Sequence, residues 1–125
     1  MKQEQQAVNA ITWLEALLSG KYKQGKSKMG NEVIGFCCWG LGCKVVGVES
    51  SFSQLWNDDF YNHVGFWEQN GHLKAEFYGK SNLAEINDNT KAGFKRIAKF
   101  LIRTADLHFN EYVANEITAR FRTKK

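Results

Sequence analysis

Five basic residues lie between positions 91 and 103, and the stretch from 89 to 105 contains no acidic residue. Four of the five recur at every fourth position, and the remaining one lies beside them: Lys91, Lys95, Lys99 and Arg103, with Arg96 as the neighbour. On a helix this spacing places like charges on one face, where each pair costs roughly 0.2–0.5 kcal/mol. The pattern is typical either of a solvated helix face or of a face that binds an anion such as phosphate.

A second group of cations lies in a polar segment without helical periodicity: Lys21, Lys23, Lys26 and Lys28. A third group lies in the last six residues, where a basic tail often does no more than keep a protein soluble. The whole chain of 125 residues carries 17 Lys and Arg against 13 Asp and Glu, for a net charge of +4. Because this excess is modest, the local concentrations of lysine are more informative about a partner than the total charge.

Aromatic residues are concentrated between positions 52 and 78, where eight of 27 residues are Phe, Trp or Tyr. An exposed aromatic ring beside cations stacks on a base, which contributes about 1–3 kcal/mol per base. Four of the rings are candidates for such a platform, with His63 or His72 beside them: Trp56, Tyr61, Trp67 and Tyr78. The alternative is that the rings form the core of a small domain, which is the usual location of Phe.

No set of residues indicates catalysis or a metal centre. Cys37 and Cys38 are adjacent and point in different directions, the gap to Cys43 is wide for a zinc-binding pair, and no His pair follows. No basic residue precedes the cysteine pair to activate a thiol. The motifs G-x-x-x-x-G-K-[ST], G-x-G-x-x-G and G-x-S-x-G are absent. We therefore expect no enzyme activity, no metal and no cofactor.

The cysteine usage and the apolar runs predict the compartment. Three cysteines, two of them adjacent, are typical of a reducing compartment in which thiols pack as small hydrophobic side chains. Apolar runs such as residues 100–102 are far shorter than the about 20 residues of a membrane span. The polar N-terminus does not resemble a signal peptide. We expect a cytoplasmic protein that does not associate with membranes.

These residues must be positioned by the fold, for which we predict a single α+β domain over residues 1–125 with four to five helices and two short β-hairpins. Apolar residues at helical spacing, including Val8, predict an amphipathic helix over residues 4–19, with Trp13 on the edge of its apolar stripe and Gly20 at its end. Residues 37–48 are apolar almost all round and predict a buried helix, whose glycines allow a neighbouring backbone to approach closely.

Two Asn-Gly or Gly-Asn pairs indicate the hairpins. Gly30-Asn31 predicts the turn of a small hairpin followed by a β-like run through Phe36. Asn70-Gly71 predicts a hairpin between residues 64–68 and 72–78.

The second half of the chain contains three further helical patterns. Ser81 is the predicted cap of a short helix through Ile86, and Asn89 or Thr90 that of a longer helix containing the cationic face. Residues 109–122 also have helical spacing.

Three stretches of the chain carry a resemblance. Residues 13–24 read W-L-E-A-L-L-S-G-K-Y-K-Q, and residues 36–43 read F-C-C-W-G-L-G-C. Residues 83–88 read L-A-E-I-N-D and are followed by F-K-R-I-A at residues 94–98. Together they resemble a family of small proteins of tailed phages and prophages, with the approximate motifs W-x-x-A-L-x-S-G-K-Y-x-Q, F/H-C-C-L-G-V-x-C and L-x-x-L-N-D followed by F-x-x-I-A.

The resemblance implies an accessory protein that acts in the cytoplasm of an infected bacterium. Small basic proteins without catalytic residues are often counter-defence factors in that setting, and one type sequesters the nucleotide-like signals of host immunity. We predict such a non-catalytic protein, which binds a phosphate-bearing signal of cyclic-nucleotide or ADP-ribose type. A homo-oligomer with sites between protomers would suit this role.

Seven residues are the predicted ligand contacts. The lysines would meet phosphate, Tyr22 would stack on a base, and the Asn-Asp pair would hydrogen-bond to base or ribose: Lys21, Tyr22, Gln24, Asn87, Asp88, Lys91 and Lys95. The structural alternative is that Asn87 and Asp88 cap the next helix and that Tyr22 packs on the first one.

Two other functions remain open from the sequence. A module that binds nucleic acid or a host protein would also use the basic surfaces, although the net charge of +4 is mild for nucleic acid. A small nucleotide hydrolase would need a metal site or an acid–base pair, and the sequence does not indicate one.

Overall fold

The computed structural model of the protein describes residues 1–26, 30–31, 34–49, 58–67 and 72–121. In these ranges the chain forms seven helices and two antiparallel two-stranded sheets, so the predicted α+β class with two short hairpins is confirmed. The helices outnumber the predicted four to five because α3 and α6 are too short for their periodicity to be visible in the sequence. The helices are α1 (Gln3–Ser19), α2 (Cys38–Val46), α3 (Asp58–Val64), α4 (Leu83–Asn89), α5 (Phe94–Arg103), α6 (Ala105–His108) and α7 (Glu111–Phe121), and the strands are β1 (Gly30–Asn31), β2 (Gly35–Phe36), β3 (His72–Phe77) and β4 (Lys80–Asn82).

Helix α1 is the central helix and packs against α2, α3, α5 and α7. It ends at Gly20, whose positive φ of 74° suits the predicted terminating glycine. Because helices surround it on several sides, the buried face differs from the predicted stripe: Trp13 is fully buried, whereas Val8 is 57% exposed. Trp13 therefore belongs to the core and not to its edge.

An aromatic cluster forms the middle of the core. The indoles of Trp13 and Trp39 stack with their centroids 5.1 Å apart, and the ring of Phe60 meets that of Trp13 edge-on at 4.9 Å. Tyr61 and Phe66 are buried against Trp39. These rings therefore form core and not a base-stacking platform; the other candidates, Trp67 and Tyr78, are exposed, and Trp56 lies outside the described residues.

The three cysteines are buried free thiols, as the sequence predicts. Cys37 caps α2, because its Sγ accepts a hydrogen bond from the Gly40 amide at 3.3 Å. Burial raises the pKa of the Cys37 thiol to about 11 and that of Cys38 well above its ordinary value. Both thiols are therefore protonated at neutral pH and pack as apolar side chains.

The first hairpin forms, but Gly30-Asn31 has a different place in it from the predicted one. Gly30-Asn31 is strand β1 itself, paired antiparallel with β2, so these two residues are not the predicted turn. Phe36 of β2 also bonds to the segment after α1: its amide donates to the Lys23 carbonyl at 2.8 Å, and its carbonyl accepts from Gly25 at 2.6 Å. The lysine-rich segment is thereby held against β2.

The second hairpin also differs from its prediction. Strand β3 pairs with β4, which follows it through a turn at Tyr78 and Gly79. Val64 ends α3, and Phe66 bridges to Phe109, so neither pairs with β3. The pair Asn70-Gly71 lies outside the described residues.

The helix starts in the second half differ from the predicted caps. Asn82, and not Ser81, caps α4, because its Oδ1 accepts from the Ala84 amide at 2.9 Å. Helix α5 begins after Gly93, while the hydroxyl of Thr90 donates back to the Ile86 carbonyl at the end of α4. Lys91 therefore precedes α5, and the cationic face of this helix contains Lys95, Arg96, Lys99 and Arg103.

His108 at the end of α6 is buried with both ring nitrogens hydrogen-bonded. Its Nε2 accepts from the Lys74 amide at 3.0 Å, and its Nδ1 lies 3.0 Å from Thr104 Oγ1. Because the Thr104 hydroxyl donates to the Phe100 carbonyl, its oxygen is free to accept, and the neutral ring carries its proton on Nδ1. The histidine thus links β3 to α6 in its uncharged form.

We expect the stability of the protein to decline below about pH 6.5 because of His108. Burial lowers the pKa of His108 from its ordinary 6.5, and Lys74 acts in the same direction, against the opposing effects of Thr104 and Asp106. The unfolded chain takes up a proton near pH 6.5 that the folded protein still excludes, so this contribution is complete above that pH and is lost as the pH falls. Urea unfolding should therefore give a lower midpoint at pH 5.5 than at pH 7.5.

The variant His108→Gln should lose less stability between these two pH values than the wild type. His63→Gln is the control, because it makes the same chemical change at a histidine in the last turn of α3 that is half-exposed and not buried. An equal decline in the His108→Gln variant would contradict the assignment.

Candidate functional site

An open groove of about 530 Å³ runs between one face of α1 and the end of α2. It contains the predicted pair Lys21 and Tyr22 and one cation that the sequence does not single out, Lys44. The α1 side contributes small and polar residues at helical spacing. The lining residues are Thr12, Glu15, Ala16, Ser19, Lys21, Tyr22, Lys44 and Val45.

Phe36 brings two of these side chains to the same place. The ring of Tyr22 meets that of Phe36 edge-on with centroids 6.4 Å apart. The Nζ of Lys44 lies 6.0 Å from the centroid of the same ring. Because Phe36 is itself buried and bonded to the segment after α1, it fixes the aromatic and the cationic walls of the groove relative to each other.

The only acidic residue among the lining residues has its own cation. Glu15 forms an ion pair with Arg120, which reaches it from α7. Both side chains are about half exposed, so the pair contributes little to stability. It nevertheless compensates the carboxylate, and the other charged lining residues are Lys21 and Lys44.

Lys95 of α5 is not a lining residue of the groove but lies beside Gly20 at the end of α1. A β-carbon at Gly20 would lie 3.9 Å from its Cε and 4.0 Å from its Nζ, so the ammonium lies at the C-terminal end of α1. Helix α1 has no basic residue in its own last turn, and Lys95 supplies positive charge to that partly negative end. Lys95 therefore lies beside the residue that precedes the predicted pair Lys21 and Tyr22 in the chain.

Asn87 lies in the interior and not on a ligand-binding surface. Its side chain is 0% exposed and uses all its hydrogen-bonding capacity within the protein. The Oδ1 accepts from Gln24 Nε2 at 2.9 Å and from the Cys38 amide at 3.2 Å. The Nδ2 donates to the Gly25 carbonyl and to Asp88 Oδ1, both at 2.9 Å. The predicted role of Asn87 as a ligand contact is therefore corrected to that of a positioning residue.

Gln24 and Asp88 belong to the same hydrogen-bonded seam. Gln24 Nε2 also donates to the Ala92 carbonyl at 3.2 Å, and Asp88 is half-buried beside Asn87. The seam ties the segment after α1 to α2 and α4, and it thereby orients Lys21 and Tyr22. The structure places Gln24 and Asp88 in this seam, and their ligand contacts stay a prediction.

Lys91 and Lys26, which the sequence also singles out, lie outside the groove lining. Lys91 is exposed in the connection between α4 and α5 and does not line the groove. Lys26 donates to the carbonyls of Asn87 at 2.8 Å and Thr90 at 3.3 Å, so it caps the end of α4. One sequence signal could have identified Lys44: it is the single charged residue in the otherwise apolar sequence of α2.

The groove can bind and orient an anion beside an aromatic ring. Within the described ranges, no group of three or more His, Cys, Asp or Glu residues could hold a metal ion. None of the helices seen there combines the length and apolarity that crossing a membrane requires.

A family model described as a domain of unknown function, DUF8296, matches residues 1–76, which is more than half of the chain. The chain belongs to the DUF8296 family. The DUF8296 match contains every lining residue of the groove, from Thr12 to Val45, whereas α4 and α5 lie beyond it. No curated protein and no solved structure matches the chain.

Proposed function

We propose that this DUF8296 protein binds a phosphate-bearing ligand of nucleotide type in the groove and holds it without converting it. The observation that carries the proposal is the meeting of Lys21, Lys44 and Tyr22 on one open surface. Two ammonium groups are suited to the charge of a phosphate, and hydrogen bonds between charged partners contribute more than neutral ones.

The ring of Tyr22 provides the second part of the recognition. It is held at one edge by Phe36 while the groove remains open beside it. A base that stacks on such a ring contributes about 1–3 kcal/mol, whatever its sequence or identity. Together the ring and the lysines would distinguish a nucleotide from inorganic phosphate.

The biological setting of this proposal comes from the phage and prophage resemblance. In that setting the protein is a counter-defence factor in the cytoplasm of an infected cell, where it sequesters a cyclic-nucleotide or ADP-ribose type of immune signal. The groove is open along one side, so a second protomer could complete it, and a homo-oligomer belongs to the proposal.

Calorimetry against a panel of cyclic dinucleotides and ADP-ribose derivatives tests the proposal. We expect stoichiometric binding of at least one member. Lys44→Gln should weaken it about tenfold through the loss of one charged contact, and Lys21→Glu should weaken it more, because glutamate also repels the phosphate. Tyr22→Leu should weaken binding of the nucleotide but not of a compound that carries the phosphates without the base.

The matched control is Lys2→Glu, which changes the net charge as Lys21→Glu does but lies at the opposite end of α1, about 25 Å away. The absence of heat with every compound at tens of micromolar would refute the proposal. Formation of product over time would instead identify the nucleotide hydrolase considered above. A light-scattering measurement with and without ligand determines the oligomeric state.

A further inference from the structure

The outward face of α5 is a concentrated positive surface. Lys95, Arg96, Lys99 and Arg103 are all exposed, and the helical repeat places them within an arc of about 100°. Over eight residues this row is about 12 Å long. We refer to these four residues as the α5 cationic face.

The α5 cationic face is not neutralised by acidic side chains of the described residues. None of its four members forms an ion pair there; Arg96 donates to the Tyr78 hydroxyl, and Arg103 lies 5.8 Å from the centroid of the Phe100 ring. Because like charges at this spacing repel one another, an anionic partner would stabilise the arrangement.

The other side of α5 is committed to the core. Phe94, Ile97 and Leu101 are buried against the rest of the protein. The helix therefore has no apolar face left to insert into a bilayer, as an interfacial amphipathic helix does. Its partner must be recognised through charge and through whatever lies at the edge of the row.

An exposed aromatic ring lies at that edge. Tyr78 in the β3–β4 turn is 40% exposed, and Arg96 donates to its hydroxyl. Its ring meets that of Phe77 edge-on at 4.7 Å, and Phe77 stacks on Phe100 of α5 at 4.5 Å. The ring is therefore held in place beside the α5 cationic face.

The backbone of Tyr78 has the left-handed conformation of a hairpin turn. Its φ is 56°, and it is the single non-glycine residue with a positive φ in the described part of the chain. This conformation raises the free energy of an L-residue by about 1–2 kcal/mol, and glycine or asparagine adopts it more easily. Gly79 has a φ of 73°, so the two residues form the tight turn between Phe77 and Lys80, and this turn fixes the position of the ring.

We infer that the α5 cationic face and Tyr78 bind single-stranded nucleic acid, with phosphates along the row and a base stacked on the ring. Single strands fit this surface better than duplexes, because the bases of a duplex are already stacked on each other and cannot lie on Tyr78. An acidic protein segment would use the cations but would have no need of an exposed ring. The inference is independent of the groove, since Lys99, Arg103 and Tyr78 do not line it.

Fluorescence anisotropy with a labelled 20-nucleotide single strand, at 50 and 200 mM salt, tests the inference. We expect binding that weakens steeply with salt, because each phosphate contact adds about 0.7 to the slope of log K against log salt. Lys99→Glu should reduce that slope by about 0.7, and the double variant Lys99→Glu/Arg103→Glu should remove most of the binding. Lys2→Glu, which changes the net charge as Lys99→Glu does, should bind like the wild type.

Tyr78→Asn separates stacking from charge. Asparagine tolerates the positive φ, so the fold should be retained, which circular dichroism checks. We expect about tenfold weaker binding of the single strand with an unchanged salt slope, and no effect on any residual binding of a duplex.

Two results would overturn the inference. The first is a Lys99→Glu/Arg103→Glu variant that binds the oligonucleotide as tightly as Lys2→Glu does. The second is a pair of findings: polyglutamate displaces the single strand at equal charge concentration, and the Tyr78→Asn variant binds with wild-type affinity. Together they would identify an acidic protein as the partner. Neither result bears on the nucleotide titrations of the groove, whose lysines are intact in these variants.

Discussion

Replacing Asn87 by alanine should lower the free energy of unfolding by about 3 kcal/mol, the largest effect that we expect from a single polar substitution. The reason is that Asn87 is fully buried and makes four side-chain hydrogen bonds. Its removal leaves the amide of Cys38 and the carbonyl of Gly25 without their partner in the interior. Each such buried orphan costs about 1–3 kcal/mol.

Urea unfolding measures this difference, with Asn115→Ala as the matched control. Asn115 is exposed on α7, so the same chemical change there should alter the free energy of unfolding by no more than about 0.5 kcal/mol. An Asn87→Ala variant with wild-type stability that no longer binds any nucleotide would contradict our assignment. It would show that Asn87 contacts the ligand directly, as the sequence alone predicts.

Replacing Gly42 by alanine should lower the free energy of unfolding by about 2 kcal/mol, although alanine is the better helix former. A β-carbon at this position of α2 would lie 2.2 Å from Cζ and 2.5 Å from Cε1 of Phe60. That ring is fully buried between Trp13 and Trp39 and cannot move aside freely. The cost of displacing it exceeds the roughly 1 kcal/mol that alanine gains in a helix.

A double-mutant cycle with Phe60→Leu tests this explanation. Leucine removes the ring atoms that the new β-carbon would meet, so Gly42→Ala should cost about 1 kcal/mol less in the Phe60→Leu background than in the wild type. Thermal unfolding of the four proteins supplies the numbers. Strictly additive effects would show that the glycine is required for a reason other than Phe60.

The sequence predicts that a neighbouring segment packs closely against α2 at Gly42, but it does not predict which residue does so. A helix with several glycines indicates that something comes close, and a neighbouring backbone was the expected partner. The structure places the side chain of Phe60 there instead. The glycines of α2 show only that a neighbour can approach this helix closely. The neighbour itself, Phe60, lies in α3, about 18 residues further along the chain.

The candidate site was predictable in part. The lysine and tyrosine after α1 line the groove, as their types suggested. Lys44 joins them only because Phe36 holds both walls together. Asn87 lies in the interior and not in the predicted site, because its side chain forms hydrogen bonds with Gln24 and Gly25, which are more than 60 residues away in sequence. Contacts over such separations depend on how the elements pack and leave no local pattern.

The sequence by itself determined the α+β class, α1 with its end at Gly20, the buried helix α2 and the presence of a basic face on α5. Each of these follows from residues within a few positions of one another, through helical periodicity and the conformational freedom of glycine. Only the tertiary structure decided which strand pairs with β3, where α5 begins and which cations meet in the groove. Those outcomes depend on burial and hydrogen bonding between distant segments, where the free energy of packing outweighs local preference.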